Sequence, residues 1–259
     1  MERILRNDDE TMALIVPIDH PAVVQCRPPN YLYAQVEKCL QNHEAATSEW
    51  LEACGPLVYA QEFEAIADER ADDRTPYWNN GFFNGDDVRS LVAMLRHYAP
   101  RRYVEIGSGN STKFARWAID HWRLPTEIVC IDPAPRAHVA HIADRVIEKS
   151  LLEIDDEIFA GLGPGDILFH DGSHLVFNGT DTTKLFLEVL PLIKPGVVVH
   201  IHDIILPWEY LSAFDHRGYN EQYLLATLLL FGVGWEVIAP ITYLHKTGRL
   251  RYGGTSFWM

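Results

Sequence analysis

Between residues 102 and 203 the apolar positions follow a recurring pattern: a short run, a polar or glycine-containing close, and a more amphipathic stretch. The runs are YVEI at 103–106, EIVCI at 127–131, DILFH at 166–170 and GVVVH at 196–200, with a shorter RVI at 145–147. Runs of this length that are apolar with little alternation fit strands buried on both faces of a sheet. The intervening stretches have helical spacing. Val88, Leu91, Val92 and Leu95 form a stripe before the first run, residues 112–119 follow it, and 182–192 make a crossover helix stopped by Lys194-Pro195-Gly196. Strands alternating with helices predict an α/β fold built on a parallel sheet.

Upstream the pattern changes. Tyr31, Leu32, Val36 and Leu40 predict a helix over 31–40 after Pro28-Pro29, and further helices are expected over 46–53 and 62–69. The charged stretch DERADDR at 68–74 then meets Pro76 and reads as a linker. The chain therefore divides into a helical N-terminal extension, residues 1–75, and a main domain, residues 76–259. The extension can cap a site or form a homo-oligomer interface. At 77–83, YWNNGFF gathers four aromatics before the helix that Asp86 or Asp87 is placed to cap.

Composition narrows the function. A formal net charge of −14 over 259 residues disfavours nucleic acid as a partner. The longest apolar candidate, residues 224–233, is far short of the roughly 20 residues a membrane helix needs. Cys26, Cys39, Cys54 and Cys130 contain no C-x-x-C pair, a usage expected of a reduced, cytoplasmic protein without disulfides or structural zinc.

The first strand runs straight into GSGNST, residues 107–112. Gly107 and Gly109 allow a sharp turn and close approach of backbone to ligand, and the helix that follows offers unpaired N–H groups. A dinucleotide loop would place a third glycine or alanine where Thr112 stands, and the Glu105 carboxylate suits a cationic ligand better than a pyrophosphate. Asp132, about 20 residues beyond the glycines, is placed to accept both hydroxyls of a ribose. Pro133 and Pro135 keep the chain extended behind it. Either reading of the loop predicts an adenosine ligand.

Two further strands end in matched clusters: His170, Asp171 and His174 after one, His200, His202 and Asp203 after the other. Ligands of open α/β sheets bind beyond the carboxyl ends of the strands, which is where both clusters fall. Histidine is the side chain suited to moving a proton near neutral pH. His174 and His202 are therefore the candidate bases, with Asp171 and Asp203 orienting them or holding a metal. His170 and His200 lie further back and are expected to be buried.

The ordered set YVEIGSGNST, CIDPAPR, LFHDGSH, LEVLPLIKPGVVVHIHDI, NEQYLL and GGTSFWM resembles the class I S-adenosylmethionine-dependent methyltransferases, in the subgroup called methyltransferase domain 24, over residues 77–259. The resemblance implies a Rossmann-like seven-stranded sheet with its last strand antiparallel, the sixth strand at 235–244 and the seventh at 253–258. It also implies that Glu105, Gly107, Ser108, Gly109, Asn110, Asp132, Pro133 and Asp171 hold S-adenosylmethionine. By likeness to catechol O-methyltransferases, Asp171 and Asp203 sit where a divalent metal binds, although Ile204 replaces the usual second ligand. Trp208, Glu209 and Tyr210 are the candidate contacts to a small-molecule substrate. The expected activity is methyl transfer to a hydroxyl; the alternatives are a nicotinamide-dependent oxidoreductase and a non-catalytic nucleotide-binding or assembly protein.

Overall fold

The computed structural model describes residues 4–8, 11–15, 27–28, 30–135 and 139–259. Its first strands, β1 (Ile4–Asp8) and β2 (Thr11–Ile15), pair antiparallel, so the extension is not helical throughout. Helices α1 (Ala34–Asn42) and α2 (Glu44–Val58) follow. The expected third helix is only a short 3-10 turn, Gln61–Ala65. The acid-rich stretch that follows has little apolar surface with which to hold a longer helix against the core.

The main sheet has strands β3 (Arg102–Ile106), β4 (Glu127–Ile131), β5 (Arg145–Ile147), β6 (Ile167–His170), β7 (Val198–Ile201), β8 (Ala239–Pro240) and β9 (Phe257–Trp258), in the order β5-β4-β3-β6-β7-β9-β8. Strands β3 to β7 are mutually parallel, and β9 runs antiparallel between β7 and β8. The expected sixth strand is curtailed: only Ala239–Pro240 pairs, and Ile241–Lys246 turns into helix α8. The apolar run is the same in either state, and Ile241 and Leu244 bury themselves from the helix.

Alternation along the strands feeds two cores, one on each face. Tyr103, Ile128, Cys130 and Phe169 pack with α3 (Gly85–Tyr98) and α4 (Asn110–Trp122). Val104, Ile131, Leu168 and Val199 pack with α5 (Glu157–Ala160), α7 (Glu221–Phe231) and the helical crossover. That crossover begins as α6 (Asp181–Lys184) and continues through a π turn, Leu185–Val189, and a 3-10 turn, Leu190–Leu192. The extension shares both cores, since Trp50 and Cys54 of α2 enter the first while Val36 and Leu40 of α1 enter the second.

Candidate active site

Hydrogen bonding carries the sheet register one step past the strand tips. The Gly107 amide donates to Ile131, that of Asp132 to Ile147, that of Asp171 to Ile106 and that of His202 to His170, at 2.9, 3.1, 2.9 and 3.0 Å. The strand-end residues are thereby set side by side along one rim, where they line a cleft of about 1110 Å³.

At one end of the cleft lies the glycine loop. Gly107 has φ +76°, and a Cβ there would stand 2.0 Å from the Asp171 carbonyl oxygen, so the close passage of two strand ends requires glycine. A Cβ on Gly109 would meet open space instead. Asp132 reaches across to accept from both the amide and the hydroxyl of Ser108, each at 2.8 Å, and from the Ala134 amide at 2.8 Å. Ser108, Asn110 and Pro133 also line the cleft.

Glu105 is placed differently from the sequence expectation. It is fully buried and absent from the cleft wall, and its carboxyl accepts from Ser111 and, at 2.7 Å, from Thr112. Burial raises its pKa to about 8 against the opposing effect of those two bonds. It braces the loop from beneath, and burial disfavours the charged form that a contact to a cation would use. The same geometry explains Thr112, whose hydroxyl also accepts from the Gly109 amide at 3.0 Å. Where a dinucleotide loop would carry a small residue, this loop is tied to its strand by a hydroxyl.

At the other end the two clusters converge. His174 Nε2 lies 3.2 Å from Asp171 and 3.6 Å from Asp203, while His202 Nδ1 lies 3.4 Å from Asp171 and 3.6 Å from Asp203. His174 and Asp203 both adopt positive φ, 58° and 53°, which turns them toward the cleft instead of continuing the loop. Asp171, His202 and Asp203 each offer one ligand atom, all within 4.8 Å of one another.

Two carboxylates that the sequence reading did not assign complete this end. Glu221, at the start of α7, is fully buried with one oxygen 2.8 Å from His174 Nδ1 and the other 3.1 Å from His170 Nε2. Asp87 lies 3.5 Å from His202 Nε2. Asp87 does not cap its helix, and nor does Asp86. Asp87 accepts from the Thr255 and Ser256 amides at 2.8 and 2.7 Å, and Asp86 from those of Tyr252 and Gly253, both at 2.8 Å. Both acids therefore pin the last strand to α3. Glu221 lies within the NEQYLL segment, and Asp87 was read only as a candidate helix cap.

The charges follow from these contacts. Burial opposes an imidazolium at His174, but the bonds to Asp171 and Glu221 outweigh it and hold the pKa well above the ordinary histidine value. Burial is likewise outweighed at His202, by Asp171 and Asp203. The reverse balance applies to the acids: despite burial, His202 and His174 keep Asp171 well below the carboxylate range, and His170 and His174 bring Glu221 to about 2. His200 is the exception. Burial, then the neighbouring His202, lower its pKa strongly, and it stacks 3.8 Å from Phe169 as a neutral core residue.

Trp208, Glu209 and Tyr210 do not line the cleft. Glu209 accepts from the Tyr33 and Tyr223 hydroxyls, both at 2.5 Å. Trp208 bridges Leu32 and lies beneath Lys246, whose ammonium is 4.2 Å from the ring. Tyr210 is buried, its hydroxyl accepting from the Gln222 amide at 3.3 Å. The Glu209 side chain and the Trp208 backbone fasten the extension to the loop after β7, while Tyr210 packs against α7. The part of that loop that does reach the cleft comes later, at Ala213, Phe214, Arg217 and Tyr219.

Residues 104–204 match the model of a methyltransferase domain family, a span that runs from the strand before the glycine loop to the residue after Asp203. The matched span, residues 104–204, is similar to that methyltransferase domain family. Among solved structures, the chain is similar to MycE methyltransferase from the mycinamycin biosynthetic pathway, in a complex with Mg, SAH and mycinamycin VI, at 19% identity and a TM-score of 0.39 over 63% of this chain and 47% of MycE. The matched part therefore spans about half the length of MycE. Cofactor-bound Rv0187 from MTB aligns at 16% identity and a TM-score of 0.40 over 86% of this chain and 89% of its own. SAH-bound PaMTH1 from Podospora anserina aligns at 15% identity and 0.35 over 80% and 87%. No protein of curated function matches the chain in sequence. Among its described residues, no helix is long and apolar enough to cross a membrane.

Proposed function

We propose that the domain methylates a hydroxyl oxygen of a small polar molecule. The observation that carries the reading is the continuity of one cleft from the Gly107–Gly109 turn to the His174, His202, Asp171 and Asp203 cluster. S-adenosylmethionine fits the first end: the open space at Gly109 admits a close ligand, and Asp132 retains lone pairs for a ribose. Gly107, Ser108, Gly109, Asn110, Asp132 and Pro133 are the residues that would hold it. Bound there, the sulfonium supplies the electrophilic methyl group. Glu105 supports this end only through Ser111 and Thr112.

At the second end, His174 Nε2 is the atom placed to take the acceptor's proton, with Nδ1 held by Glu221. For that nitrogen to act as a base, the imidazolium must first release its own proton, so the capacity for base catalysis grows as pH rises through the elevated pKa. Asp171, Asp203 and His202 can alternatively collect a divalent cation, a mixed oxygen and nitrogen donor set that suits a transition metal better than magnesium. Such an ion would lower the pKa of an acceptor hydroxyl.

The reading is tested by titrating the protein with S-adenosylmethionine and, separately, NADH, with and without EDTA. The expected outcome is binding of the sulfonium only. Preference for NADH would reverse the assignment, and binding of neither would favour a non-catalytic protein.

A further inference from the structure

The acceptor half of the cleft is uneven in charge and in texture. Asp87, Asp171 and Asp203 crowd its deep side. On the loop after β7 stands an arginine, Arg217, which lines the same space. Its Nη1 donates to the Tyr219 hydroxyl at 2.9 Å, and the Tyr219 ring lies 4.5 Å from that of His174. That bond holds the guanidinium over the cleft on the His174 side, although the residue itself is exposed. Among the described residues no carboxylate lies within ion-pair distance of it, and its remaining donors are unclaimed. The other cleft-lining arginine and lysine, Arg70 and Lys113, come from segments at the glycine-loop end. The walls between the deep acids and Arg217 are aromatic: Phe83 lies 5.2 Å from His202, and Phe214 lies 5.5 Å from Tyr219.

A planar guanidinium with free donors matches a carboxylate in a fork-to-fork arrangement that a neutral substituent cannot reproduce. At the deep end the acids are already paired with His174 and His202, which leaves Arg217 as the cation open to a carboxylate, and aromatic walls favour a flat ring. Resting on the hydroxyl-methylation reading above, we propose that the acceptor is a hydroxylated aromatic acid. Its hydroxyl points toward His174 and its carboxylate is read by Arg217, so that Arg217 selects the substrate class and sets which hydroxyl is presented.

The test is calorimetric titration of the full chain, loaded with S-adenosylhomocysteine, with a vicinal dihydroxybenzoate and with the matching neutral dihydroxybenzyl alcohol. The benzoate is expected to bind about 10-fold or more tightly than the alcohol, the scale of a hydrogen bond between charged groups. In Arg217→Gln the benzoate should fall to the affinity of the alcohol, with S-adenosylhomocysteine affinity as the control for an intact fold. Equal affinities in the unaltered protein, no binding of either aromatic, or a preference that survives Arg217→Gln would each overturn the assignment. Failure of S-adenosylhomocysteine itself to bind would instead sink the methyltransfer reading on which the assignment rests.

Discussion

The two ends of the cleft are built in different ways. The end proposed for the cofactor comes almost entirely from two strand–turn junctions, 106–112 and 131–134: a glycine where strands pass closely, a serine that meets an aspartate of the adjoining strand end, a threonine that ties back a loop. The acceptor end draws on six segments, with Asp87 from α3, Asp171 and His174 after β6, His202 and Asp203 after β7, Phe214 and Tyr219 from the long loop, Glu221 from α7 and Thr255 before β9. A local site tolerates change around it. A dispersed one is sensitive to every element that carries a piece, which is how one scaffold can change acceptor while keeping its cofactor.

The sharpest way to break this comparison is at His174. If the acceptor end does the chemistry, His174→Gln should lower kcat by about 10²–10⁴, the usual contribution of a positioned base, while S-adenosylhomocysteine affinity stays within about 2-fold. Comparable losses in both would mean that the two ends are not separable. The converse change is Gly107→Ala. Its Cβ cannot occupy the space held by the Asp171 carbonyl 2.0 Å away, so strand ends must separate and cofactor binding should fall by at least about 10-fold in the same titration. Unaltered binding would show that the loop can relax.

A smaller effect separates orientation from proton transfer. Glu221→Gln keeps an acceptor for His174 Nδ1 but removes the charge, and loss of a partner that orients a functional imidazole typically costs 10–100-fold. The loss should appear in kcat and not in acceptor KM. The same network fixes the pH dependence. Because His174 and His202 have raised pKa values, turnover should increase with pH above the ordinary histidine value of about 6.5. Folding stability runs the other way: the part owed to the raised histidines is fully present at low pH and is lost as pH rises through their folded pKa values. The part owed to the depressed Asp171 and Glu221 is lost at the acid extreme, as pH falls through theirs. A pH–rate profile falling from neutral to alkaline pH would contradict the base assignment.

This contrast also governs what could be read from sequence. The glycine turn, Asp132, the parallel strands and the two His/Asp clusters follow from short motifs, because strand ends of an α/β sheet must share a rim. The aromatic and acidic residues after β7 were legible as a loop, but not as two halves with different duties. Glu209 turns away from the cleft because Tyr33 and Tyr223 supply its partners, the first of them 176 residues away in the chain. Glu221 and Asp87 escaped for the same reason, since their partners are brought close only by tertiary packing. Residues 241–244 misled because an apolar run without alternation buries as well in a helix as in a strand.

The mildest change tests the one residue whose role moved from ligand contact to brace. Glu105 keeps its proton to about pH 8, whereas the unfolded chain releases it near 4.5. Between those values the folded state must hold a proton that the unfolded state has given up, so the residue's contribution to stability falls as pH rises, on the order of a few kcal/mol in all. Glu105→Gln has nearly the same shape and no proton to lose. One of its amide ends can still accept from Thr112 or Ser111, so cofactor affinity should change little. Its melting temperature should exceed that of the unaltered protein at pH 8 and approach or fall below it at pH 4.5, where the carboxyl is neutral in both folded and partly in unfolded chains. A large loss of S-adenosylmethionine binding in this variant, without loss of fold, would return Glu105 to the cofactor as a direct contact and extend the locally encoded end of the cleft by one residue.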